Sequence, residues 1–111
     1  MKEVAYLAGA IVAEVIGTSV LKLSDGFENL LPGLTAVGAY IVSFYFVSLA
    51  LRELEVGLVY ALWSAFGIVG ITTIGILVFD ETIDLAGVVG IGFILAGVVV
   101  LGIYSDAYTP V

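Results

Sequence analysis

The stretch GAIVAEVIGTSVLK (residues 9–22) sets one carboxylate, Glu14, inside an otherwise apolar run. Between Val4 and Leu21 no other residue carries a formal charge. On a helix, offsets of three, four and seven residues put Leu7, Ala10, Ile11, Gly17, Thr18 and Leu21 on its face. Ala10, Gly17 and Thr18 are small, so room is expected beside the acid. A carboxylate in such a setting does one of two things. It takes a proton or a cation that comes and goes, or it acts as a protonated hydrogen-bond staple between helices. No Asn, Gln or second acid lies within the apolar runs to serve as the other half of a staple, which favours the exchangeable ligand.

Aromatic side chains recur at helical spacing further along. YALWSAFG places Tyr60, Trp63, Ser64 and Gly67 at i, i+3, i+4 and i+7, and Tyr40, Ser43, Phe44 and Val47 repeat that spacing. Tyr and Trp at membrane depth commonly form interfacial belts, and Tyr60 is close enough to the end of its run for that role. Trp63 and Tyr40 lie about a turn or more deeper. A carboxylate with electron-rich rings suits a lipophilic cation, through charge pairing and cation–π contact of about 2 kcal/mol or more when desolvated.

Elements that could carry these residues follow from composition. Hydrophobic residues make up 62% of the 111, charged residues 12%, and the mean hydropathy is +1.27. A soluble domain of this length has too much surface to hide so many apolar side chains. Four apolar runs, about 4–21, 32–51, 57–79 and 85–104, each come close to the roughly 20 residues that cross a hydrocarbon core. The expectation is an all-α membrane protein with four transmembrane helices in a single integral domain spanning 1–111, located in the cell membrane as a multi-pass protein. The connections are short: KLSDGFENL with Pro32 placed to open the second helix, RELEV (52–56) and DETID (80–84). Short links make neighbouring helices antiparallel. The first run does not resemble a signal peptide, since MKE carries no net positive charge and the run contains Glu14.

Glu14 lies ten residues beyond Val4, about 15 Å along a helix and hence near the bilayer midplane. An acid there costs roughly 2.5–3.5 kcal/mol on insertion scales, and such residues usually face a cavity, a partner or an ion path. The other nine acids sit in links or tails, where they solvate helix ends. The net charge of −7 argues against nucleic acid or an anionic surface as partner. With no Cys and no His, thiolate and imidazole chemistry are excluded, and neither an enzyme activity, a metal nor a cofactor is expected. Lys2 and Arg52 fall on one side of the membrane and Lys22 on the other. A difference of one charge permits insertion both ways round or a modest bias to N-terminus inside, and the count leaves both open. The fourth run, GVVGIGFILAGVVVLG, carries Gly87, Gly90, Gly92 and Gly97 with no polar residue. Small residues at near-helical spacing let helices approach, either within one bundle or between two copies.

The stretch AEVIGTSVLKLSDGF (13–27), followed by Tyr40, Ser43 and Phe44 and then YALWS (60–64), resembles the small multidrug resistance family, and the likeness extends over nearly the whole chain. That resemblance implies a proton-coupled antiporter of lipophilic, aromatic or quaternary cations, working as an antiparallel, dual-topology homodimer. It implies Glu14 as the shared proton and substrate site, with Trp63, Tyr40, Tyr60, Thr18, Ser43, Phe44 and Ser64 as substrate-binding residues. Gly90 and Gly97 match the family's dimerising fourth helix. Gly17-Thr18 looks like the drug-exporting branch, whereas the guanidinium-exporting branch carries a Trp in that neighbourhood. A guanidinium or other small-cation exporter, and a non-transporting partner subunit, are the alternative expectations. The chain also departs from the family pattern. Ala65-Phe66-Gly67 stands where the family's third helix carries Gly-Val-Gly, Val4 replaces an early Tyr, and the C-terminal tail has Asp106 and no basic residue.

Overall fold

The computed structural model describes residues 2–107. Four α-helices follow one another: α1 (Lys2–Leu23), α2 (Leu30–Ala50), α3 (Val56–Val78) and α4 (Leu85–Tyr104). All four are long and apolar enough to cross a membrane, and no strand occurs among the described residues. The protein is a multi-pass, all-α membrane protein.

Helix ends differ from the sequence expectation in informative places. α1 runs about two residues further at each end, because the charged Lys2, Glu3 and Lys22 continue the helix and nothing breaks it before the turn at Gly26. Lys22 in the last turn also complements the negative end of the helix dipole. α2 starts two residues before Pro32. Proline there falls in the first turn, where its missing N–H has no intrahelical acceptor to lose. α3 is one unbroken helix through Ala65-Phe66-Gly67 and Gly70.

The described chain forms two compact units, a hairpin of α1 with α2 up to Arg52 and a hairpin of α3 with α4 from Glu53 onward. In the first, a tight turn reverses the chain through left-handed backbone at Asp25, Gly26 and Phe27. Ser24, fully buried, organises it. Its hydroxyl donates to the Leu21 carbonyl and accepts from the Phe27 amide, while its carbonyl accepts from the Asn29 amide. The Asn29 side chain donates back to the Leu23 carbonyl, capping the end of α1. Gly33 has no side chain to hold off the Phe27 ring, which lies where a Cβ would stand. From the turn the helices run antiparallel along a seam of small residues, with Gly17 against Ala36 and Ala39, Ala10 beside Ser43, and Gly9 beside Phe46. Tyr6 and Phe46 stack at 6.3 Å near the open end.

In the second hairpin Phe79 and Glu81 both donate backbone N–H to the Gly75 carbonyl, which closes α3. The Glu81 carboxylate folds over Gly75. Asp84 opens α4, its side chain accepting from the Gly87 amide at 2.9 Å. Near the other end, Leu58 of α3 comes within van der Waals reach of Gly102 of α4. α4 buries none of its residues.

Candidate functional site

Glu14 sits near the middle of α1, half-buried, with Thr18 one turn further along on the same face. The Thr18 hydroxyl donates to Glu14 Oε1 at 3.0 Å and lies 2.5 Å from the Tyr40 hydroxyl of α2. A threonine hydroxyl has a single proton. With that proton committed to Glu14, Tyr40 is the donor in the second bond, so a two-hydroxyl chain runs from α2 to the carboxylate. Glu14 Oε2 is buried and has no hydrogen-bond partner among the described residues. A buried acceptor left this way costs about 1–3 kcal/mol, and more when charged, unless something arrives to satisfy it. A proton or a cation would.

Gly17 makes this arrangement possible. A Cβ there would lie 3.2 Å from the Ala39 Cβ, 3.4 Å from the Ala36 carbonyl oxygen and 3.5 Å from the Tyr40 ring. Without a side chain at 17, α2 comes close enough for the Tyr40 ring to lie along α1 and its hydroxyl to reach Thr18. The room expected from small residues beside Glu14 is therefore partly filled. Ala10 is fully buried and Gly17 buried, and their smallness serves the approach of α2.

The other expected residues divide between the hairpins. Phe44, on α2, stacks with Tyr40 at a centroid distance of 6.4 Å and an interplanar angle of 23°, and is 58% exposed. Ser43 is fully buried and donates to the Ala10 carbonyl at 2.7 Å, so its hydroxyl ties α2 to α1. In the second hairpin Tyr60 and Trp63 meet edge to face at 5.9 Å and 76°. Tyr60 is exposed, while Trp63 and Ser64 are half-buried. Gly90 and Gly97 are exposed on α4, and no atom lies within 4 Å of a Cβ built at either.

Residues that the spacing argument passed over are Ala36 and Ala39 on α2, which receive Gly17. A signal for Ala36 exists in the sequence. Gly33, Ala36, Ser43 and Ala50 recur at three- and seven-residue spacing, a small-residue stripe on an otherwise bulky helix, and these are the residues α2 buries.

Residues 2–94 match the family model described as Small Multidrug Resistance protein. The chain is 47% identical over 107 residues to the quaternary ammonium compound-resistance protein QacE of Escherichia coli, covering 96% of this chain and 97% of that protein. It is 45% identical over 102 residues to the multidrug transporter PA4990 of Pseudomonas aeruginosa, covering 92% and 93% respectively. It is also 39% identical over 103 residues to the quaternary ammonium compound-resistance protein QacG of a Staphylococcus strain, covering 93% of this chain and 96% of that one.

Proposed function

Since the chain belongs to the small multidrug resistance family, we propose that it exports lipophilic, aromatic or quaternary cations in exchange for protons, with Glu14 as the group both ligands share. The observation that carries this reading is the state of the Glu14 carboxylate. One oxygen is held by Thr18, and the other is buried without a partner, in a helix fit to cross the membrane. An unpaired carboxylate is costly in a low dielectric, and either a proton or a cation relieves it. The two therefore compete for one group, and that competition couples their exchange when the group faces one side of the membrane at a time. A cation entering from one side displaces the proton, and a proton entering from the other releases the cation.

Each hairpin carries a pair of rings, Tyr40 with Phe44 in the first and Tyr60 with Trp63 in the second, whose π faces suit an aromatic or quaternary cation. One chain contributes a single deep carboxylate, and within its hairpin α4 leaves the Gly90 and Gly97 face uncovered. A drug-sized ligand buries most of its surface in its site, so a second copy of the chain completes the walls. With Lys2 and Arg52 set against Lys22, that copy is free to insert upside down. Two such chains form an antiparallel homodimer, which gives the inverted symmetry that larger transporters build from internal repeats.

Calorimetry on purified protein tests the assignment. Glu14→Gln keeps the shape of the side chain and removes its charge. It should retain the helical fold, lose tetraphenylphosphonium binding, and release no protons when the cation is added. Binding at near wild-type affinity by Glu14→Gln would sink the proposal.

A further inference from the structure

Hydroxyl groups on the helices show where Thr18 is unusual. Ser19, Thr35 and Thr73 each turn their hydroxyl back to the backbone carbonyl four residues earlier, the ordinary choice for such side chains in a helix. Thr18 gives its proton instead to the side chain four residues earlier, Glu14 Oε1, and is itself backed by the Tyr40 hydroxyl. In this hairpin no other polar group competes for that place. α2 carries no Asp, Glu, Lys or Arg. Its Ser43 is committed to the Ala10 carbonyl, and its Tyr45 is exposed.

We infer that Thr18 sets which cations Glu14 accepts: by holding Oε1 it leaves Oε2 as the oxygen offered to an incoming cation, and so disfavours cations that bind through a forked pair of N–H donors. The inference rests on the proposed role of Glu14 as the cation site. Its chemistry is that of carboxylate pairing. A guanidinium presents two parallel N–H groups in one plane, and its strong mode of binding places one on each carboxylate oxygen. An ionised carboxylate has about four acceptor positions, two on each oxygen. Thr18 fills one of those on Oε1, and the hydroxyl pair of Thr18 and Tyr40 crowds that side. A forked donor therefore meets one unpartnered oxygen and one partly occupied one. A quaternary ammonium or a phosphonium has no N–H to place. It pairs by charge with Oε2 and by its organic groups with the rings, and it loses nothing to the occupied oxygen. Thr18 is then a positioning residue that selects by what it withholds.

Competition binding on the purified full chain separates the possibilities, with phenylguanidinium as the forked cation and tetraphenylphosphonium as the cation without N–H groups. The readout is the ratio of their two dissociation constants at fixed pH. Thr18→Val keeps the branched shape and removes the donor, so it should shift the ratio about tenfold towards phenylguanidinium, the size of one hydrogen bond to a charged group. Thr18→Ser restores the donor and should return the ratio to the wild-type value. The double variant Thr18→Val with Tyr40→Phe leaves no hydroxyl to slide into the vacated place, and should shift the ratio at least as far as the single one. An unchanged ratio in both the single and the double variant overturns the inference. So does a Thr18→Val protein that binds neither cation while Thr18→Ser binds both, because Thr18 would then be needed for every cation. Failure of the Glu14 assignment is a separate result, visible in Glu14→Gln alone.

Discussion

In the α1–α2 hairpin the helices meet along Ala10, Gly17, Ala36 and Ser43, all of them buried, whereas α4 of the other hairpin buries no residue. Both hairpins are built from apolar helices of about the same length with glycine in each. They differ in what the small residues are for. At Gly17 the absent side chain is filled by the neighbouring helix, while at Gly90, Gly92 and Gly97 it leaves open space. The first hairpin also carries hydrogen bonds between its helices, from Ser43 to Ala10 and from Tyr40 to Thr18. In a bilayer, close packing and such bonds replace the hydrophobic effect as the source of helix association. The hairpin that holds the carboxylate is thus internally fastened, and the glycine face of α4 is left free by its own hairpin.

Substitutions at the two kinds of glycine put that contrast to work. Gly97→Leu meets nothing within its own hairpin, so the helical content should be unchanged. If α4 joins two copies, the variant should cross-link and sediment as a monomer and lose transport entirely in proteoliposomes. Full transport by a monomeric variant would show that the open face is a lipid surface only. Gly17→Leu should behave in the opposite manner, because its side chain collides with Ala36, Ala39 and Tyr40. Overpacking of this kind costs about 1–3 kcal/mol. A lowered midpoint for unfolding in mixed micelles is the expected sign, and an unaltered midpoint would mean that the seam gives way easily.

Smaller effects sharpen the comparison further. Trp63→Leu removes the ring that meets Tyr60 edge to face, and should weaken binding of aromatic cations by roughly 0.5–2 kcal/mol, with Trp63→Phe milder. Equal affinities in titrations of all three proteins would reassign Trp63 to packing. Ser43→Ala loses the bond to the Ala10 carbonyl and should lower hairpin stability by about 0.5–1.5 kcal/mol. Cation affinity is the second readout for Ser43→Ala. A loss of affinity with no loss of stability would mean that Ser43 touches substrate and does not fasten the helices.

Four helices, the short links between them and the oddity of Glu14 were legible in the sequence, because each is a local property. An apolar run of about 20 residues has one stable form in lipid, and a charge within it stands out against its neighbours. The family was legible for the same reason, since AEVIGTSVLK and YALWS are contiguous strings. Helix ends were less so. The charges of Lys2, Glu3 and Lys22 suggest flanks, yet these residues continue α1, and α2, expected to begin at Pro32, begins at Leu30 directly after Asn29. What only the tertiary structure decided is which small residue faces what. Periodicity puts Ala10, Gly17 and Thr18 on one face with Glu14, but it does not say that α2 fills the first two places and bonds to the third. The same holds for Ser43, whose spacing with Tyr40 and Phe44 suggested a shared site, and whose hydroxyl is turned to Ala10 across the seam. The register of two helices is set by contacts between residues 17 and 39 or 10 and 43, far apart in the chain, and a pattern within one helix carries no information about its partner.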